Sequence, residues 1–172
     1  MKWVVMIVLT LFGAAVQMTV PPIALLGGAK TPVLFCLVLY YALEHDTALL
    51  MTAALLAGLL QDALGPMPLG ISTLCFCMVG GVAGGFKRLV LSDSAVVAAI
   101  FGFAGWLAVT FCSYLLLRHD GMLGWSALSA LWKSAGTGLL GAVVAPVLFS
   151  VTGGIDRRLG NVRMKREIHG IE

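Results

Sequence analysis

The stretch Ala53-Ala54-Leu55-Leu56-Ala57-Gly58-Leu59-Leu60-Gln61-Asp62-Ala63-Leu64-Gly65-Pro66-Met67-Pro68-Leu69-Gly70-Ile71-Ser72 decides how this chain folds. It reads as an apolar helix with one acid near its end, then a proline-glycine turn, then the start of a second apolar helix. An acid at the C-terminal end of a helix faces the negative end of the macrodipole, at a penalty of roughly 0.3–1 kcal/mol. Asp62 is therefore expected to have a partner or a task.

The surrounding composition says which medium that acid meets. The chain has 172 residues, 60% hydrophobic and 11% charged, with a mean hydropathy of +1.01. Soluble domains carry about a quarter charged residues. The chain reads as an integral membrane protein, an all-α bundle of five to six transmembrane helices, because each crossing takes about 20 apolar residues. The length leaves no room for a soluble catalytic domain.

Working outward, the expected spans are residues 3–20, 32–43, 47–62, 69–86, 95–117 and 135–151, a bundle over residues 1–154. The first continues past the small residues Gly13-Ala14-Ala15 and so reads as a retained span, not a cleaved leader. Pro21-Pro22 ends it. Residues 21–43 read either as one tilted span or as a broken, re-entrant piece, since Pro32 to Leu43 alone reaches only about 18 Å. Glu44-His45-Asp46 reads as a solvated turn, with a metal or proton-relay role as the less favoured alternative. Ser92-Asp93-Ser94 is a candidate N-cap for the fifth span, and residues 124–132 a candidate interfacial helix before the sixth. Pro146 is expected to kink that last span.

Past Gly153-Gly154 the character changes to a basic tail over residues 155–172, with Arg157, Arg158, Arg163, Lys165 and Arg166 suited to anionic lipid head groups. Six spans with both termini cytoplasmic put those residues, Lys2, Lys87 and Arg88 inside, and only Lys30, Arg118 and Lys133 outside, as the positive-inside rule requires.

Small residues recur four apart at Ala53 and Ala57, Ala54 and Gly58, Gly80 and Gly84, and Gly81 and Gly85. Such pairs let helix backbones approach closely, and packing inside the bundle is favoured over binding a partner. The four cysteines lie in apolar runs. Cys75 and Cys77 stand about 200° apart on a helix, which argues against a metal pair. No nucleophile elbow, His-Glu-x-x-His pair or phosphate loop is present in the sequence, so neither enzyme chemistry nor a metal or cofactor is expected. For Asp62 three roles stay open. The favoured one is a structural anchor accepting hydrogen bonds from amides of the Gly65–Gly70 turn or of residues 69–72. The others are an interfacial acid wetted by solvent and a ligand contact.

Ala57-Gly58-Leu59-Leu60-Gln61-Asp62 followed by Pro68-Leu69-Gly70 resembles the Gly-Leu-x-x-Asp and Leu-Gly signature of the rod shape-determining MreD family. The layout of short chain, about half a dozen apolar helices and small basic tail is similar too. At Lys30-Thr31-Pro32-Val33 the chain departs from the family, which often has an acid near the start of its second span. The resemblance implies a non-enzymatic scaffold or regulatory subunit of the inner-membrane complex for lateral peptidoglycan synthesis, with Gly58, Asp62, Pro68 and Gly70 as signature residues. It implies as partners the lipid bilayer, an MreC-like bitopic protein, an MreB-like filament and a glycan polymerase and transpeptidase pair, and no nucleic acid. MreD-like proteins also look like the substrate-binding subunits of energy-coupling-factor transporters. A vitamin-type binding subunit is therefore the alternative, although the polar inventory for a pocket (Gln17, Gln61, Tyr114, Trp125, Trp132) is thin.

Overall fold

The computed structural model describes residues 2–20, 31–65, 68–86, 95–119 and 127–159. These residues form six helices: α1 (Lys2–Thr19), α2 (Val33–Glu44), α3 (Thr47–Ala63), α4 (Ile71–Gly85), α5 (Ala95–His119) and α6 (Ala127–Arg158). The stretch at 21–30, the Ser92-Asp93-Ser94 cap, residues 124–126, Lys87, Arg88, Arg163, Lys165 and Arg166 lie outside the described residues.

The architecture follows from α2. Every residue from Val33 to Leu43 is buried. A helix apolar all round belongs in an interior, and here α2 packs against all five others, which run α1, α3, α4, α5, α6 around it. Phe35 packs at 5.4 Å on Phe76 of α4 and at 5.6 Å on Trp106 of α5, while Tyr40 meets Phe149 of α6 edge-on at 5.4 Å. Each such aromatic pair adds roughly 0.5–1.5 kcal/mol to the gain from packing.

The surrounding helices are one-sided. On α1 the buried residues Met6, Thr10, Gly13, Ala14 and Gln17 recur at helical spacing, whereas Val4, Val8, Leu11, Phe12 and Met18 point outward. Exposed apolar side chains of this kind suit lipid. By length and composition α1, the Val96–Leu115 part of α5 and the Ser134–Arg158 part of α6 can each cross a membrane. The helices α2, α3 and α4 are apolar but have only 12, 17 and 15 residues. At 1.5 Å per residue α2 spans about 18 Å, short of a hydrocarbon core of about 30 Å. Its burial removes the need to match lipid.

The last helix differs from the expectation in two ways. It starts at Ala127, inside the segment assigned to a separate interfacial helix, and it runs through Gly153 and Gly154 to Arg158. The tail was expected to begin at residue 155. Glycine in a helix costs only about 1 kcal/mol against alanine, and tertiary bonds to the final turn offset it. Pro146 sits within this continuous helix; lacking an amide hydrogen, it offers no donor to the carbonyl four residues back.

Close approach between helices rests on particular glycines. A Cβ on Gly58 would overlap the Thr73 Cα and stand 2.7 Å from the Thr73 nitrogen, so α3 and α4 touch backbone to backbone there. On α5, a Cβ at Gly102 would lie 2.7 Å from the Gly141 carbonyl oxygen of α6. Gly58→Ala is expected to force α3 and α4 apart and to lower stability by about 1–3 kcal/mol, the range for overpacking. Gly85→Ala, where a Cβ meets nothing within 4 Å, should be close to neutral. Thermal unfolding of the two variants in one detergent compares them directly.

Candidate functional site

Polar side chains inside an apolar bundle are expensive and must be paired. Among the described residues, Gln17, Gln61, Asp62, Tyr40, His45 and Asp156 are paired at the two ends of α2 and at the start of α4.

At the start of α2, the residue before the helix is Pro32, which has no side-chain acceptor to offer. The cap comes from α1 instead: Gln17 Oε1 accepts the Leu34 amide at 3.2 Å. The other end of the same side chain, Gln17 Nε2, donates to Gln61 Oε1 of α3 at 2.7 Å. One amide side chain therefore ties three helices together.

At the start of α4 the same solution recurs. Gly70 precedes the helix with φ of +104°, a left-handed conformation that suits glycine, and it supplies no capping side chain. The Asp62 carboxylate reaches across from α3. Its Oδ2 accepts the Gly70 amide at 2.7 Å, and the Ser72 amide lies 3.1 Å from Oδ1 and 3.2 Å from Oδ2. Asp62 is only 2% exposed. A carboxylate at the positive end of the α4 dipole is favoured, which offsets its unfavourable place at the end of its own helix. The carboxylate is turned away from solvent, toward the turn and the first amides of α4.

Of the other signature residues, Pro68 is exposed and Gly70 half-buried, both in the turn that Asp62 closes. Among the small residues, Ala53, Ala54 and Ala57 are buried in the core. Gly80 faces Leu50 and Val38, and Gly84 faces Leu50 and the Ala42 carbonyl. The other pair on α4 is rotated by 100° per residue away from that contact. Gly81 reaches only the Met51 methyl at 3.6 Å, and Gly85 is exposed with nothing close. The expectation that Gly85 packs a helix is corrected: its face points outward.

At the far end of α2 the structure overturns the solvated reading of the turn. Glu44 is half-buried and Asp46 exposed, but His45 between them is buried. His45 Nε2 lies 2.9 Å from Asp156 Oδ2 of α6, and the Tyr40 hydroxyl donates to that same oxygen at 2.9 Å. Asp156 is 1% exposed. The Tyr41 ring lies 5.2 Å from His45 and 5.4 Å from Tyr40, and its buried hydroxyl has no hydrogen-bond partner among the described residues. A hollow of about 130 Å³ opens beside His45, lined by Ala42, Asp46, Thr47, Leu50 and Gly84.

Asp156 falls within residues 155–172, the segment expected to form the basic tail. The signal that would have located the cluster was the pair of hydroxyl-bearing rings, Tyr40 and Tyr41, in an otherwise apolar helix, with His45 about one turn further on. Arg157 and Arg158 are exposed at the end of α6. Among the described residues no group of three His, Cys, Asp or Glu side chains comes together to hold a metal ion. Each of these polar clusters joins helices.

The family model for rod shape-determining protein MreD matches residues 1–151, nearly the whole of the helical bundle. The chain belongs to the MreD family. Membership makes it an inner-membrane protein with a role in determining rod shape, in a family not known for enzymes. No curated protein and no solved structure gave a significant match. In this MreD-family chain the match takes in Gln17, Gln61, Asp62, Tyr40 and His45 but stops five residues short of Asp156. The carboxylate bonded to Tyr40 and His45 thus lies beyond the matched region.

Replacing Asp62 tests the α4 cap. In Asp62→Asn one oxygen is exchanged for an amide group that cannot accept, and a buried donor left unsatisfied costs about 1–3 kcal/mol. The expected result is a lower unfolding temperature, with faster hydrogen exchange at residues 70–72 than at the end of α6. Unchanged exchange at those amides would contradict the cap.

Proposed function

We propose that this chain is a non-enzymatic scaffold or regulatory subunit of the rod-shape complex that directs lateral peptidoglycan synthesis. The family match over residues 1–151 carries the reading. The chemistry of the bundle supports it. Gln17, Gln61, Asp62, Tyr40, His45 and Asp156 are engaged in bonds between helices, the use expected of a body that presents a constant shape.

Within this proposal the chain crosses the inner membrane six times with both termini cytoplasmic. That orientation places the Asp62 turn on the outer side and the His45–Asp156 cluster on the inner side. Asp62, Gly58 and Gly70 lock α3, α4 and the turn, and Ala53, Ala54, Ala57, Gly80 and Gly84 set the helix spacing. The partners are the bilayer, an MreC-like bitopic protein and, through the complex, an MreB-like filament and a glycan polymerase and transpeptidase pair.

The alternative reading, a vitamin-type binding subunit, draws no support from the hollow at the His45 end. The hollow beside His45 holds about 130 Å³, below the roughly 300–1,000 Å³ of small-molecule sites.

Depletion in a rod-shaped host is expected to give rounded cells. A tagged chain should bring an MreC-like protein through purification from the membrane. Normal rods on depletion, together with a vitamin retained through purification, would replace this reading with the transport one.

A further inference from the structure

The cluster at the end of α6 does more than fill space. Asp156 is turned into the bundle by two donors from α2 and the turn after it, the Tyr40 hydroxyl and His45 Nε2. Successive residues on a helix are 100° apart. With Asp156 held inward, Arg157 and Arg158 are rotated to the outside, and both are exposed. Met6 of α1 packs in the same cluster as Tyr40 and Tyr41, which brings the exposed Lys2 and Trp3 to this end of the molecule as well. The described acids at this end are Asp156 itself, buried on α6, Glu44 at the end of α2 and Asp46 just before α3.

We propose that Tyr40, His45 and Asp156 form a latch that sets the rotation of the final turn of α6, so that Arg157 and Arg158 meet the anionic head-group layer of the bilayer. The ligand class is an anionic phospholipid surface, and Asp156 is the positioning residue. The inference rests on the membrane location of the chain and is independent of its part in cell shape. Basic side chains near the end of a helix are doubly favoured there, by the negative end of the dipole and by anionic lipid. Because binding and latching are linked, anionic lipid stabilises the latched turn as much as the latch favours lipid contact.

The test is hydrogen exchange of the full chain in nanodiscs of phosphatidylcholine alone and of an equal mixture with phosphatidylglycerol. In the unmodified protein, amides of residues 153–159 should exchange on the order of tenfold more slowly in the anionic discs, the scale expected for two arginines at a charged surface. Asp156→Asn should abolish that dependence on lipid. A purely structural role for Asp156 would instead speed exchange equally in both discs and preserve the difference. Arg157→Gln with Arg158→Gln should remove the lipid dependence while leaving residues 44–47 as protected as before.

Residues 68–72, at the opposite end, serve as the internal reference. If Asp156→Asn also unprotects them, Tyr40→Phe, which keeps the ring and removes one donor, supplies the same comparison. Equal exchange in the two discs for the unmodified protein would overturn the lipid contact. Lipid dependence surviving in Asp156→Asn, or in Tyr40→Phe where that comparison is used, would overturn the latch.

Discussion

The structure depends on a 12-residue helix whose first eleven residues are all buried. Because α2 is buried from Val33 to Leu43, the amides at its start cannot be satisfied by water and must find a partner in another helix. That constraint explains the placement of Gln17. Gln17 comes from α1 to cap the start of α2 and holds Gln61 of α3 with its other end. At the far end, Tyr40 and His45 carry the bonds outward to Asp156 of α6. The central helix is thereby bonded at both ends to the helices around it.

The same logic governs α4, whose N-terminal amides are met by Asp62 from α3. In both cases the residue before the helix cannot cap it, Pro32 for α2 and Gly70 for α4. Borrowing a cap from a neighbour converts a local requirement into a tertiary bond. It also makes helix spacing matter, since a side chain reaches across only when the backbones are close. Gly58 against Thr73 provides that closeness between α3 and α4, and Gly102 against Gly141 provides it between α5 and α6. Small residues and borrowed caps are two parts of one packing solution.

In this member of a shape-determining family, each of α2 and α4 is held at one or both ends by bonds to a neighbouring helix. The two polar ends are also different in kind. The Asp62 end is a closed cap on backbone amides, whereas the Asp156 end joins side chains to side chains next to exposed arginines.

Composition and length alone determined that this is an apolar helical bundle for a membrane, because a chain with 11% charged residues leaves no other medium for its surface. The local pattern around Asp62 was legible as well, since the acid, the turn and the helix it caps lie within eleven residues from Asp62 to Ser72. The inward face of α4 was only half legible: periodicity proposed two small-residue pairs, and packing chose Gly80 with Gly84 and turned Gly85 outward. Tertiary structure alone decided the fate of His45 and Asp156. They are 111 positions apart, so no local signal links them. An acid beside two arginines reads as solvated until the fold brings an imidazole and a phenol to it. Short-range chemistry is written in neighbouring residues, whereas a buried pair between distant helices exists only once the chain has closed around α2.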